Sequence, residues 1–90
     1  MDELDGIWTV ERMGGVLPPM RGVRKRIEGE RSVTLAGPVK MRFDVRGLEL
    51  RYRGPFAGLV DLLEPDADGY SGRATFLGRQ FGRFRLTRSV

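Results

Sequence analysis

The stretch that decides the fold is VKMRFDVRGLELRYR, from Val39 to Arg53. Apolar side chains occupy alternate positions up to Val45, the pattern breaks at Arg46-Gly47, and alternation resumes from Leu48 to Tyr52. Since successive side chains of a strand point to opposite faces, this period predicts two strands that each bury one face and expose the other.

We predict that these strands form a hairpin whose two-residue loop is Arg46-Gly47. In that register three apolar pairs meet on the buried side: Val45 with Leu48, Phe43 with Leu50, and Met41 with Tyr52. On the wet side two pairs of like charges face each other and repel: Arg42 with Arg51, and Lys40 with Arg53. Arg42, Arg51 and Arg53 are therefore candidate contacts for an anion. The alternative is a solvated face with local salt bridges.

Short strands bounded by glycine and proline are predicted on both sides of the hairpin. The thirteen glycines and five prolines recur about every eight to ten residues, a spacing typical of a small sandwich or barrel. Further strands are predicted over Ile7 to Met13, Ser32 to Ala36 with Val33 and Leu35 as its apolar face, Phe56 to Glu64, Tyr70 to Phe76 with both end rings inward, and from Arg83 toward the end.

The segment from Met20 to Glu28 fits two structures. Its apolar residues have helical spacing between a proline and a glycine, but Val23, Lys25 and Ile27 also alternate as in a strand. We favour the strand, because the segments that follow it are extended. Tight turns join antiparallel neighbours, so we predict one all-β domain over residues 1–90, a small antiparallel up-and-down barrel of about eight short strands. A two-layer β-sandwich is the alternative.

The composition fits one small domain without a membrane span. Ninety residues, of which 40% are apolar and 31% charged, provide one modest core. No apolar run reaches the roughly 18 residues of a membrane helix. The acidic N-terminus, MDELDGIW, differs from a basic secretory signal, and the chain has no cysteine for disulfides. We therefore expect a cytoplasmic protein.

Catalytic and metal sites are not predicted. The sequence has no histidine and no cysteine, which removes the usual base at neutral pH and the strongest nucleophile. Asp44 and Glu49 face each other in the predicted hairpin, but on its wet side. The acidic segment from Glu64 to Gly69 is interpreted as a turn, since Thr75 stands where an EF-hand calcium loop needs glutamate. We expect no enzyme activity, no cofactor and no metal.

The residues Gly6-Ile7-Trp8, on the predicted first strand, resemble the G-x-W opening of the lipocalins and related calycin barrels. In that family the tryptophan closes the barrel floor, and a basic side chain of the last strand packs across its indole. The resemblance implies this barrel-closing role for Trp8, with a partner among Arg83, Arg85 and Arg88. It also implies a ligand chamber, whose candidate contacts are Trp8, Leu17, Met20, Phe43, Tyr52 and Tyr70.

Three functional hypotheses follow. The first is a non-enzymatic lipocalin-like barrel that binds a small apolar or amphiphilic ligand under a lid formed by Val16 to Met20; an anionic head group would meet the candidate arginines. The chain is shorter than a lipocalin and lacks its T-D-Y motif, so a barrel filled by its own side chains is the alternative. The second hypothesis is a homodimer through Phe56 to Glu64, which is apolar on both faces. The third is a basic nucleic-acid-binding domain, disfavoured because the predicted aromatic residues point inward.

Overall fold

The structure, a computed structural model, describes residues 4–89 and contains eight β-strands. Their bounds are β1 (Gly6–Gly15), β2 (Arg24–Ile27), β3 (Val33–Ala36), β4 (Val39–Arg46), β5 (Glu49–Tyr52), β6 (Leu59–Asp66), β7 (Gly69–Phe76) and β8 (Arg79–Arg88). Each strand pairs antiparallel with the next, and β8 pairs with β1, so the sheet closes into a barrel. The predicted all-β up-and-down barrel is confirmed, and the sandwich alternative is wrong.

Two 3-10 turns, Gly29–Arg31 and Gly54–Phe56, follow β2 and β5. No helix within residues 4–89 has the length and apolar character needed to cross a membrane. The ambiguous segment from Met20 to Glu28 contains strand β2, which pairs with both β1 and β3. The strand interpretation is therefore correct, because closure of the barrel supplies β2 with two hydrogen-bonding neighbours.

The central hairpin has a different register from the predicted one. Its loop is Gly47-Leu48, and Arg46 pairs with Glu49. Gly47 has a φ of 60°, and a type II′ turn favours glycine at this first loop position. Each residue of β4 therefore pairs two positions further along β5 than predicted. Because a shift of two residues keeps every side chain on the same face, the predicted buried faces are kept. Phe43 and Leu50 are fully buried.

The observed register also changes which charges face each other on the outer face of the hairpin. Arg42 lies opposite Arg53, whose amide donates to the Arg42 carbonyl at 3.0 Å, so one pair of like charges remains. Arg51 pairs with Asp44, and its Nη2 lies 2.8 Å from Oε1 of Glu49. Nε of Arg53 lies 3.4 Å from Oδ1 of Asp44. The predicted pairs Arg42–Arg51, Lys40–Arg53 and Asp44–Glu49 are therefore wrong, and local salt bridges between exposed side chains compensate the charges of Arg51 and Arg53.

Strand β3 turns inward the face that was predicted to be outside. Thr34 pairs with Lys25 of β2, and it is buried inside the barrel. Val33 and Leu35 therefore lie on the outer face, where Leu35 stands opposite Lys40 of β4. Val33 is nevertheless buried, because its register partners on β2 and β4 are arginines whose long aliphatic stems flank it.

Strand β6 begins later than predicted, since Gly54–Phe56 forms a 3-10 turn. Asp61 and Leu63 are buried in the interior, and the alternation of the strand leaves its intervening apolar side chains on the outside. Backbone pairing on both edges of β6 is taken by β5 and β7. A homodimer through its outward side chains stays a prediction.

The buried part of the inner face of β7 ends before Phe76. This ring, predicted to point inward, belongs to a residue that is 48% exposed. Phe76 is the last residue of β7 and pairs with Leu59, a residue that lines the space at this end of the barrel. The register shift in the pairing with β8 leaves the extra residue, Phe81, on β8. The last buried side chain in this phase of β7 is the small Ala74, which leaves space at this end of the barrel.

Two inward-facing glycines make room for larger side chains. A Cβ atom on Gly72 would lie 2.2 Å from Cζ of Phe84, and one on Gly82 would lie 2.4 Å from Cγ of Leu17. Carbon atoms attract each other best at about 3.5–4.0 Å, so neither contact is tolerable without movement. Gly72 thus allows Phe84 to cross the interior, and Gly82 allows Leu17 to pack against the backbone of β8.

Candidate functional site

One end of the barrel is a closed floor built around Trp8. Its indole Nε1 donates a hydrogen bond of 2.8 Å to the carbonyl of Leu4, and its ring meets that of Tyr70 edge-on at 5.4 Å between centroids. The guanidinium of Arg88 lies 4.3 Å from the indole centroid, and Nη1 of Arg88 donates to the carbonyl of Asp5 at 2.8 Å. Aromatic packing and a cation–π contact therefore close this end.

Of the three candidate arginines, Arg88 is the one that covers Trp8. Arg85 instead binds the carboxylates of Asp66 and Asp68 at 3.0 and 3.3 Å, and Arg83 pairs with Gly14 on the outer side of β8. The barrel-closing role predicted for Arg83 and Arg85 is therefore wrong. Alternation explains the difference, because residue 88 has the same phase as the inward Phe84 and Leu86.

The opposite end of the barrel contains a cavity of about 380 Å³. The segment from Val16 to Met20, which we call the mouth loop, contributes four of its lining residues, Leu17 through Met20. Strands around the barrel supply seven further apolar lining residues, and Val23 precedes β2 directly; the seven are Val10, Ala36, Met41, Leu59, Ala74, Phe81 and Phe84. The four remaining lining residues are polar: Lys25, Thr34, Tyr52 and Asp61.

The six predicted ligand contacts are divided between the two ends of the barrel. Leu17, Met20 and Tyr52 line the cavity. Trp8 and Tyr70 belong to the floor, and Phe43 is fully buried in the core outside the cavity lining. The two interpretations of the interior, filled core and ligand chamber, thus describe different halves of one barrel.

The polar lining residues form a compact group, which we call the Lys25 cluster: Lys25, Thr34, Tyr52 and Asp61. Nζ of Lys25 lies 2.8 Å from Oγ1 of Thr34, 2.5 Å from the hydroxyl of Tyr52, and 3.1 Å from Oδ2 of Asp61. The Tyr52 hydroxyl also donates to Oδ2 of Asp61 at 3.2 Å, and it lies 2.6 Å from Oγ1 of Thr34. All four residues are buried.

Pairing keeps the buried charges of the cluster in place. Burial by itself lowers the pKa of Lys25, but the facing Asp61 carboxylate and the Tyr52 hydroxyl outweigh it and hold that pKa above its ordinary value. Burial raises the pKa of Tyr52, so its hydroxyl is neutral. Three rings surround the ammonium with centroids 5.2 to 5.6 Å from Nζ: Tyr52, Phe84 and Phe43. Lys25 is therefore a paired ammonium inside the barrel.

Sequence reasoning did not identify Lys25 and Asp61 as site residues, although each carries a local signal. Lys25 stands in phase with Val23 and Ile27 on β2, and Asp61 stands in phase with apolar leucines on β6. A charge in the apolar phase of a strand is costly unless a partner of opposite sign neutralises it. Two such charges of opposite sign in one chain indicate a buried ion pair.

The three candidate anion contacts lie on the outer face and not among the cavity-lining residues. Arg51 is paired with Glu49. Arg53 is paired with Asp44, and its Nη2 donates to the carbonyl of Glu30 at 3.0 Å. The structure therefore does not bring these arginines to the predicted chamber. Binding of nucleic acid to this basic surface stays a prediction.

Comparison with protein families, curated proteins and solved structures finds no match to this chain. The function is therefore argued from the geometry of the cavity and of the Lys25 cluster.

Proposed function

We propose that this protein is a non-enzymatic, lipocalin-like mini-barrel that binds a small, mainly apolar ligand in the cavity under the mouth loop. The observation that carries the proposal is the combination of an apolar cavity of about 380 Å³ with a single buried polar cluster in its lining. Small-molecule sites typically have this design, because apolar walls provide affinity and a few placed polar groups provide orientation.

The architecture supports the lipocalin-like part of the proposal. The closed barrel has eight antiparallel strands, and an arginine of the last strand lies across the Trp8 indole of the first strand. Both features are those that the G-x-W resemblance implies. A barrel of eight strands has room for one small ligand at most, which agrees with a cavity confined to one end.

The chemistry of the cavity supports binding rather than catalysis. General acid–base catalysis works best when the pKa of the group lies near the working pH. The pKa values of Lys25 and Tyr52 are both shifted away from neutrality. In addition, the ammonium of Lys25 is engaged by three oxygen atoms of the cluster, which leaves it as a structural cation.

The mouth loop is built to cover the cavity while it stays attached at both ends. The amide of Val16 donates to the carbonyl of Phe81 at 2.7 Å, and Nε of Arg12 donates to the carbonyl of Leu17 at 2.7 Å. At the other end, the amide of Val23 donates to the carbonyl of Met20. Between these anchors lie two prolines, which have no amide proton to bond to a strand.

A titration with octanol tests the proposal. We expect octanol to shift the methyl resonances of Met20 and Met41 in a two-dimensional NMR spectrum, because both side chains line the cavity. Replacing the small lining residue in Ala36→Phe fills the cavity and should weaken binding at least about tenfold, by blocking burial of the alkyl chain. The matched control is Leu35→Phe, which adds a ring on the opposite face of β3.

Two results would contradict the proposal. One is the absence of methyl shifts up to the solubility limit of octanol. The other is equal affinity of octanol for Ala36→Phe and for the unchanged protein, since binding would then occur outside the cavity.

A further inference from the structure

The hydrogen bonds of the Lys25 cluster use all of its side-chain protons. An ammonium has three N–H groups, and each hydroxyl has one O–H. Lys25 directs its three N–H groups at Thr34, Tyr52 and Asp61. The hydroxyl of Tyr52 donates to Asp61, which leaves the hydroxyl of Thr34 to donate to Tyr52 across their 2.6 Å contact. Every donor in the cluster therefore has an acceptor within it.

The cluster can still accept a hydrogen bond, through the carboxylate of Asp61. Both polar contacts of the Asp61 carboxylate are made by Oδ2, so Oδ1 is left over. Within residues 4–89, every fully buried side-chain nitrogen and oxygen has a hydrogen-bond partner. Oδ1 is therefore not sealed in the protein core, and Asp61 lines the cavity. A ligand that reaches the cluster meets a carboxylate oxygen with free lone pairs.

From this arrangement we infer that the ligand carries a hydrogen-bond donor, a hydroxyl or a protonated amine, at the end that reaches the Lys25 cluster. The inference rests on the proposed function and specifies the chemical class of the ligand. It differs from the anionic head group that the sequence predicted, because the candidate arginines lie outside the barrel whereas Asp61 lies inside.

An anionic head group has no suitable partner in the cavity. The Lys25 cluster is neutral as a whole, since one ammonium faces one carboxylate. The other lining side chains are apolar, and the two prolines of the mouth loop lack amide protons. A carboxylate would therefore lose its hydration, find every N–H of Lys25 in use, and lie next to the like charge of Asp61.

Three ligands of eight carbon atoms each test the inference: octanol, octylamine and octanoate. Affinities come from the methyl shifts of Met20 and Met41 on titration of the full chain at neutral pH. Octanol and octylamine should bind at least about tenfold more tightly than octanoate, because a hydrogen bond to a charged group contributes about 1.5–3 kcal/mol and 1.4 kcal/mol is tenfold.

A hydroxyl deletion tests the proton count itself. Thr34→Val removes one acceptor of Lys25 while the ion pair with Asp61 stays, so an N–H becomes free to meet an anion. We expect octanoate to gain about tenfold in affinity, with octanol affected less. The matched control is Thr75→Val, which removes another buried hydroxyl, one that donates to the carbonyl of Val60 at 2.7 Å. This control should keep the original order of affinities.

The outcomes separate the two claims. Octanoate binding in the cavity as tightly as octanol would overturn the inference and leave the proposed function standing. An identical response of Thr34→Val and Thr75→Val to octanoate would overturn the proton count. Failure of all three ligands to move the two methionine methyl groups would remove both the inference and the proposed function.

Discussion

Lys25 is the residue on which the candidate site depends, because its ammonium lies inside the barrel with only 4% of the residue exposed. An unpaired charge in such a place costs far more than a small domain can tolerate. Asp61 neutralises it at 3.1 Å, and two hydroxyls complete its hydrogen bonds. Each of the two buried charges therefore needs the other for its neutralisation. Because the contacts of Asp61 use Oδ2, its Oδ1 is left without a hydrogen-bond donor among residues 4–89.

Removal of one partner of this pair should be much more harmful than removal of both. Lys25→Met or Asp61→Leu alone leaves an uncompensated charge, and we expect either to lower the free energy of unfolding by about 3–5 kcal/mol. The double variant should recover to within about 1 kcal/mol of the unchanged protein. Urea denaturation measures all three. A double variant that is as unstable as the sum of the single ones would contradict this view of the pair.

The same pair predicts a loss of stability in alkaline solution. The pKa of Lys25 is raised on folding from an ordinary value of 10.5, and that of Tyr52 from 10.0. Above these values the unfolded chain releases protons that the folded protein retains, so the free energy of unfolding falls as the pH rises. Melting temperatures should therefore drop between about pH 10 and pH 12.

The control for this pH dependence is the double variant Lys25→Met with Asp61→Leu. It lacks the buried lysine, so its melting temperature should fall less steeply over the same range. Equal slopes for the two proteins would show that the alkaline loss arises from other groups.

The mouth loop is the element that covers the cavity, and it packs closely against β8 because Gly82 has no side chain. Leu17 occupies the space that a Cβ on Gly82 would need. The loop is also tied to Phe81 of β8 and to Arg12 of β1 through hydrogen bonds, so both strands hold it in position. The cover of the cavity and the strand beneath it therefore form one unit.

Gly82→Ala should displace Leu17 and loosen this unit. We expect a loss of about 1–3 kcal/mol in unfolding free energy, typical of overpacking, and faster hydrogen exchange at the amide of Val16. In a Leu17→Ala background the same substitution should cost clearly less, because the colliding atoms are gone. Additive effects of the two substitutions would argue against the contact as the cause.

At the scale of the whole molecule, closure of the sheet determines where the site lies. The pairing of β1 with β8 joins the first strand to the last and leaves neither strand with a free edge. Trp8 and Arg88 meet at this seam and seal one end, while the small residues and the mouth loop leave space at the other. The two ends of the barrel thus differ because large side chains fill one end, whereas small residues leave a cavity at the other.

Arg88→Ala should weaken the seam. The variant loses the cation–π contact with Trp8 and the hydrogen bond to Asp5, and we expect a cost of about 1–2 kcal/mol in unfolding free energy. Denaturation followed by the fluorescence of Trp8 measures it. Arg83→Ala, on the outer side of the same strand, should change stability by about 0.5 kcal/mol or less. Equal costs for the two variants would contradict the assignment of Arg88 as the closing residue.

The sequence by itself determined the fold class and most of the strands. The alternation of apolar and polar residues and the spacing of glycine and proline extend over a few residues, so they can be recognised without the tertiary structure. The same local pattern identified the apolar loop from Val16 to Met20, and it contained the information that residue 88 shares the inward phase of Phe84 and Leu86. All of these features can be predicted from residues that are close to each other in the sequence.

The tertiary structure alone decided the register of the central hairpin, the inward face of β3 and the site. Gly47 selected the turn, and hence the pairing, through its backbone conformation. Thr34 lies inside the barrel, where its hydroxyl accepts a hydrogen bond from Lys25 at 2.8 Å. Lys25 and Asp61 lie on β2 and β6, which are not neighbours in the sheet, and only closure of the barrel brings them to 3.1 Å. Contacts across the interior depend on the whole chain, and no short stretch of sequence specifies them.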